Sequence, residues 1–445
     1  MLRLFFTTAF SFFLLGTTLH AQKSWTLQEC IDYAVAHSAQ MDVQQANNRI
    51  QDLNLRDAKL NLAPDISGGV GGSFSFGRTL DPETNTYNNI HYFGNSYSLS
   101  ASMPLFAGLS NLNNIRFERY GQLKGRKDAQ KLSDDIAVEV LHLYYEAMYR
   151  ESLVTLALEQ TELSAKEVAR MRRQTDLGLK AKADIAEAEA KEAADQYTLI
   201  NSENNYADAL LNLKRKMSYP IDAPLQIDAA PEELRQLVNT TVRADSLYLV
   251  ALERLPHSES SALAVKQAKA RVAAQRGMLF PSLSVGADIG SRFYNSSAIP
   301  YRTQLSNNTS EYIGLSLSIP VFSGLMRVSN VQKAKQNLRI AEAKHSDLLQ
   351  EVYKEVQKTV QVLNASVKAY QQALKQEHAR ELAHRVNIRK YEEGLISILE
   401  LYTSANMLLA AKVETIGTLM KMNVQRRIVA YYEGTSLTTV QSFNQ

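Results

Sequence analysis

Residues 103–111 read MPLFAGLSN, and residues 319–327 read IPVFSGLMR. Pro104 and Pro320, Phe106 and Phe322, and Gly108 and Gly324 are each 216 positions apart. The correspondence extends in both directions. Upstream, LNLAPDISGGVGG at 60–72 answers GMLFPSLSVGADIG at 277–290, with Pro64 and Pro281 offset by 217. Downstream, RQTDLGLKAKADI at 173–185 answers RKYEEGLISILEL at 389–401, with Gly178 and Gly394 again 216 apart. Anchors that keep register over more than a hundred residues indicate a tandem duplication, the first thing to seek in a long chain.

Within each copy the order of patterns is the same. The first repeat is expected over 22–217. It holds a helix at about 27–62, strands at 65–79 and 94–106, a long helix at 109–176 and a return helix at 181–217. The second, over 243–433, holds a helix at about 243–278, strands at 282–294 and 311–322, a long helix at 325–392 and a return helix at 397–430. Residues 218–242, with three prolines, read as the linker, and 434–445 as a polar tail. The fold class is therefore mainly α with a small β part.

Proline ends each first helix, because it disfavours helix at the residue before it and donates no backbone hydrogen bond. YSLSASM (97–103) and YIGLSLSI (312–319) alternate apolar residues with Ser or Gly, the period of a strand with two unlike faces. The polar loops between strands, 80–93 and about 295–310, follow ordinary turn chemistry. Pro104 and Pro320 are expected at the strand ends, and Gly108 and Gly324 at the bend from strand to long helix. In the long helix, Ile136, Val140, Leu143, Ala147, Val154 and Leu158 follow a heptad-like spacing. Sixty-eight residues at a rise of 1.5 Å amount to roughly 100 Å, which outgrows a globular core and calls for coiled-coil packing.

Residues 1–21 have a basic start at Arg3, an apolar run too short to span a bilayer, and small residues before Ala21. That is the pattern of a secretory signal. The chain has a single cysteine, Cys30, so no internal disulfide forms, and LQECIDYAV suggests a small buried residue there. A net charge of +3 among 445 residues implies no polyanion-binding field and no nucleic-acid partner. No segment after the signal approaches 18 consecutive apolar residues, so a membrane-embedded form of this chain would be a closed β-barrel. Four strands are too few to close one, and edges cannot be left open in lipid. Two, three or four chains sharing a barrel would satisfy closure. The Ser- and Gly-rich face would then line a pore, with the apolar face meeting lipid.

GGVGGSFSFG (68–77) lacks the full spacing of a phosphate-cradling loop and runs into Phe/Ser alternation, which fits a strand. His378 and His384 are six apart, so they form no i, i+4 metal pair. Tyr87, Tyr92, Tyr97, Tyr294 and Tyr301 gather around the strands, as an interfacial aromatic girdle would.

The duplicated unit of helix, strand pair, P-[LV]-F-[AS]-G, very long helix, G-L turn and return helix resembles the TolC-like outer-membrane efflux protein family. The resemblance covers about 25–433. It implies a homotrimer with a twelve-stranded barrel in the outer membrane of a Gram-negative bacterium, and a helical tunnel through the periplasm. It also implies partners, a periplasmic adaptor and an inner-membrane transporter, with no cofactor and no chemistry of the channel's own. The tips DLGLK (176–180) and EEGLI match the family's docking turn, which assigns docking to Gly178, Leu179, Gly394 and Leu395. The same glycines also suit helix C-caps. Asp184, Tyr391 and Glu400 match positions of the family's periplasmic gate, although each carboxylate also suits a solvated helix position. Ile396 stands where a gate arginine is expected, and Thr403 where a second acidic ring is expected. Two other readings remain: a soluble periplasmic coiled-coil scaffold, and an autonomous porin, for which the long helices have no use.

Overall fold

The computed structural model describes residues 24–80, 85–89, 91–228 and 243–438. The expected signal peptide at 1–21 lies outside them, as do 229–242 of the expected linker and 439–445 of the tail. The described chain forms two compact units. Of the described residues, one takes those within 24–34, 139–228 and 369–424, and the other those within 35–138, 243–368 and 425–438.

The helical stretches open with α1 (Leu27–His37) and α2 (Ala39–Leu60) in the first copy, and α5 (Ala244–Arg254) and α6 (Pro256–Gly277) in the second. One helix was expected in each place. The first breaks at Ser38, whose backbone is extended (φ −75°, ψ 121°). The second breaks at Leu255 (φ −72°, ψ 125°), the conformation that Pro256 imposes on the residue before it. Helix α3 (Ser110–Asp176) and helix α8 (Met326–Glu392) are each 67 residues long. They return as α4 (Lys182–Met217) and α9 (Ile398–Tyr432).

Of the expected stripe on α3, Ile136, Val140 and Ala147 are buried and Leu143 and Val154 half-buried, while Leu158 is exposed. A straight helix drifts about 20° per heptad against a strict seven-residue repeat. After three heptads the buried positions have moved to Leu156 and Ala157.

Strands β2 (Asp65–Ser75), β5 (Tyr92–Ala107), β7 (Ser282–Tyr294) and β8 (Ser310–Ser318) form one antiparallel sheet in the order β2-β5-β7-β8. The run 65–79 is thus shorter than expected. Residues 78–80 (β3) instead pair with 87–89 (β4) in a small hairpin inside the expected loop. A short parallel pair joins β1 (Ser24–Trp25) to β6 (Gln226–Ile227), and the Tyr144 hydroxyl donates to the Trp25 carbonyl at 3.1 Å. Cys30 is buried, and burial pushes its thiol up to about 12.

The two strand-to-helix seams share one backbone bend. Gly108 and Leu109 have φ of 58° and 64°, and Gly324 and Leu325 have 58° and 63°. Two successive left-handed residues turn the chain at each seam, a conformation that glycine adopts without penalty and leucine does not. The prolines depart from expectation. Pro104 lies inside β5, opposite Ser284, where the register shifts at a bulge before Phe106. A bulge tolerates the missing N–H. Pro320 falls beyond β8, which ends at Ser318 rather than at 322.

Candidate functional site

The sheet has two chemically distinct faces, fixed by register. One row across its four strands reads Ile66, Ala101, Ala287, Ile313. The adjacent rows on the opposite face read Ser67, Ser100, Asp288, Tyr312 and Gly69, Ser98, Gly290, Ser310. Leu99 and Ile289, Val285 and Leu315, and Leu283 and Leu317 are further opposed pairs on the apolar face. Ile66, Val70, Phe74, Ile313, Leu315 and Leu317 are all exposed on it. On the polar face Ser100 donates its hydroxyl to Asp288 at 2.9 Å. Among the described residues, strands β2 and β8 each have a neighbour on one side only. A sheet that is apolar on one face, small and polar on the other, and open at both edges is suited to a shared barrel wall.

The second feature is the pair of helix-hairpin tips. At the α3–α4 turn, the Gly178 N–H bonds the Thr175 carbonyl at 2.9 Å and the Leu179 N–H bonds the Gln174 carbonyl at 2.8 Å. At the α8–α9 turn, Gly394 bonds Tyr391 at 3.1 Å and Leu395 bonds Lys390 at 2.8 Å. Both are Schellman caps, with glycine at φ 74°. They leave Leu177, Leu179, Leu395 and Leu399 each 65–74% exposed. Exposed leucines on a rigid turn are a ready contact surface.

The structure puts Asp184 and Glu400 at the start of the return helices. Asp184 accepts from the Ala181 N–H at 3.2 Å. Glu400 accepts from the Ser397 N–H at 3.3 Å, and the Ser397 hydroxyl accepts from the Glu400 N–H at 3.3 Å, a reciprocal capping box. Tyr391 is buried against Val168, Met171, Ala188, Ile398 and Leu401. Its hydroxyl meets the Met171 sulfur at 3.8 Å, and the Lys180 ammonium stands 4.4 Å above its ring. Within the chain no hydrogen bond or ion pair joins Asp184, Tyr391 and Glu400 to one another among the described residues. Ile396 packs, half-buried, on the same cluster, which accounts for an apolar residue there.

Sequence reasoning passed over Lys180, the Arg170–Glu392 ion pair at 3.6 Å and the half-buried Tyr402. Burial, with Glu167 nearby, holds the Tyr402 hydroxyl well above its ordinary range. The available signal was position: Lys180 and Glu392 lie two residues from a tip glycine, Tyr402 two from Glu400, and Arg170 eight before Gly178. Among the described residues no group of three or more His, Cys, Asp or Glu is placed to hold a metal, and no helix is long and apolar enough to cross a membrane.

A family model described as outer membrane efflux protein matches residues 30–217 and 247–424. The chain belongs to the outer membrane efflux protein family. The outer membrane efflux protein BepC of Brucella suis biovar 1 is 22% identical over 413 residues, 90% of this chain and 84% of that one. The alkaline protease secretion protein AprF of Pseudomonas aeruginosa is 24% identical over 330 residues, covering 71% and 66% respectively. A crystal structure of CusC, described in terms of transmembrane channel formation, superposes with a TM-score of 0.80 over 94% of this chain and 96% of that one, at 16% identity. The protein is thus a TolC-like efflux channel of the Gram-negative outer membrane, with helical and β parts in one chain.

Proposed function

We propose that three copies of this chain close one twelve-stranded barrel and one helical tunnel, forming the exit duct of a tripartite efflux or secretion system. The observation that carries this reading is the four-stranded, two-faced sheet with two open edges. In lipid those edges need strand partners, and a second copy supplies them without new sequence. The intrachain junction between β5 and β7 is the template. It joins the second strand of copy one to the first strand of copy two, and β8 meeting the next chain's β2 repeats that relation. Applying the 216- and 217-residue offsets to Ala101–Ala287 pairs Leu317 with Val70 of the neighbouring copy. Tyr97–Ser291 maps likewise to Ile313 and Phe74. Both derived pairs keep apolar residues on the apolar face.

The tips around Gly178–Leu179 and Gly394–Leu395 would dock the periplasmic adaptor through their exposed leucines, and the adaptor would join the inner-membrane transporter. Asp184 and Glu400 would ring the narrow end three times over, favouring cations, with Tyr391 bracing the same end from within each chain. The test is thiol cross-linking in a Cys30→Ala background. The pair Leu317→Cys with Val70→Cys is expected to give covalent trimers in outer membranes, and the register-shifted pair Leu315→Cys with Val70→Cys far less. Cross-links that favour the shifted pair would overturn the junction, and recovery of the protein as a soluble periplasmic monomer would overturn the channel.

A further inference from the structure

Between β7 and β8 the polar stretch at 295–310 folds into a short helix, α7 (Tyr301–Asn307). Its anchorage is specific. Gln304 is buried; its amide nitrogen donates to the carbonyls of Tyr294 at 3.0 Å and Ile299 at 2.8 Å, and its amide oxygen accepts from the Tyr294 N–H at 3.0 Å. The Ser291 hydroxyl donates to the Leu305 carbonyl at 2.6 Å. Tyr301 packs its ring 4.7 Å from that of Phe293, and its hydroxyl lies 2.7 Å from that of Tyr97. Asn95 donates to the same Tyr97 oxygen at 3.2 Å.

Register tells which side of the sheet this is. Tyr97 opposes Val70 and Ser291, and Asn95 opposes Phe293. All of them alternate in phase with Leu99 and Ile289, on the apolar face. Helix α7 therefore lies against the face that meets lipid, not against the Ser/Gly face. The chemistry it carries is one-sided too. From Ile289 to Ser310 the only charged residues are Arg292 and Arg302. Arg292 alternates onto the polar face. Arg302 is exposed on α7, beside exposed Thr303, Ser306 and Asn307, and no carboxylate pairs with it among the described residues.

We propose that α7 is a foot on the outer wall of the barrel, at the depth of the outer-leaflet head groups, where Arg302 and its polar neighbours bind the phosphate of lipid A. The inference rests on the membrane reading above. Tyrosines with an apolar ring and a polar tip favour that depth, and a guanidinium is the side chain best matched to phosphate. Lipid A is the phosphorylated lipid of the leaflet away from the helical tunnel.

The test uses the full chain with Cys30→Ala, reconstituted in lipid A-containing nanodiscs. It carries a fluorophore at Ser306→Cys or, as a control, at Ile289→Cys. The 306 label is expected to be quenched by a head-group nitroxide and shielded from aqueous iodide, and the 289 label to be quenched by a mid-chain nitroxide. A 306 label open to iodide, with the 289 label in hydrocarbon, overturns the α7 assignment alone. A 289 label open to iodide overturns the barrel instead. In lipid A binding to the purified trimer, Arg302→Glu is expected to lose tenfold or more, and Arg292→Gln to leave binding unchanged. Wild-type affinity in Arg302→Glu, or equal affinity of the native protein for phosphatidylglycerol, would overturn the lipid A assignment.

Discussion

Replacing each seam glycine by alanine separates two costs that the duplication makes comparable. Gly108 and Gly324 share φ 58°, so an alanine at either pays the left-handed penalty of about 1–2 kcal/mol. Their surroundings differ. A Cβ on Gly108 would stand 2.0 Å from the Gly277 carbonyl oxygen and 2.9 Å from the Phe280 Cβ, whereas one on Gly324 meets nothing within 4 Å. The contact at Gly108 is with backbone, at a place where the bulged end of β5 holds the chain, so it is not relieved by a rotamer change. Forcing extra volume into a packed site costs roughly 1–3 kcal/mol. Gly108→Ala should therefore lose about 2–5 kcal/mol and Gly324→Ala about 1–2. Helix content followed by circular dichroism during thermal unfolding in detergent measures both. Equal losses in the two variants would refute the assignment of the difference to the Gly108–Gly277 approach.

At the tips, Gly394→Asp or Leu395→Glu should abolish export and adaptor binding while leaving trimers and membrane insertion intact; normal export would remove the docking assignment. Glu400→Gln keeps a side chain able to complete the capping box. It should leave unfolding within about 0.5 kcal/mol of wild type yet reduce cation preference in planar-bilayer recordings. Unaltered selectivity would leave Glu400 a cap only. Asp134, raised from 3.8 to about 6 by burial against the opposing Tyr431 hydrogen bond at 2.8 Å, gives a pH signature. Its folded value lies above the unfolded one, so this contribution is complete below pH ~4 and is lost as pH rises through ~6, by about 3 kcal/mol. His257, held below its ordinary range by burial and Lys131, works in the opposite sense, losing stability as pH falls below about 6.5. Asp134→Asn should flatten the acid-side gain seen in denaturant titrations between pH 4 and 6.

What the sequence displayed best were features written in backbone chemistry. The glycines at 108, 178, 324 and 394 all have positive φ, and the Ser/Gly alternation runs in phase across strands far apart in sequence. Features decided by tertiary contact were not displayed. PYRTQLSN has no helical periodicity to read over seven residues, and α7 exists because Gln304 satisfies three backbone groups of its surroundings. Ser38 carries no proline or glycine to announce the break before α2. At the tip, the motif matched Tyr391 to a gate position but carried no sign that the cluster around Met171 and Ile398 buries its ring. Asp184 and Glu400 show the limit of motif reading, since the carboxylates that match a gate each cap the start of a return helix within the chain.

The seams also indicate how the two copies have diverged. Position 277 is glycine, and its own Cβ would come within 2.6 Å of the Gly108 carbonyl oxygen, so both partners of that approach must lack a side chain. Carried back by the 217-residue offset, position 277 corresponds to Leu60, which is exposed. If β8 of one chain meets β2 of the next as β5 meets β7, Gly324 comes to face Leu60 of the neighbouring copy. A leucine cannot accept the close backbone approach that glycine permits at 277, so the interchain seam has to be wider than the intrachain one, with the Leu60 side chain filling the gap. The effect of Gly324→Ala beyond its backbone penalty would then fall on assembly, not on folding of the single chain. The trimer band on a semi-native gel would weaken at temperatures where helix content is unchanged. The double variant Gly324→Ala with Leu60→Ala should restore it, because the second substitution returns the space that the first consumes. Restoration requires the two residues to touch across chains, and its failure would exclude a junction built on the internal repeat.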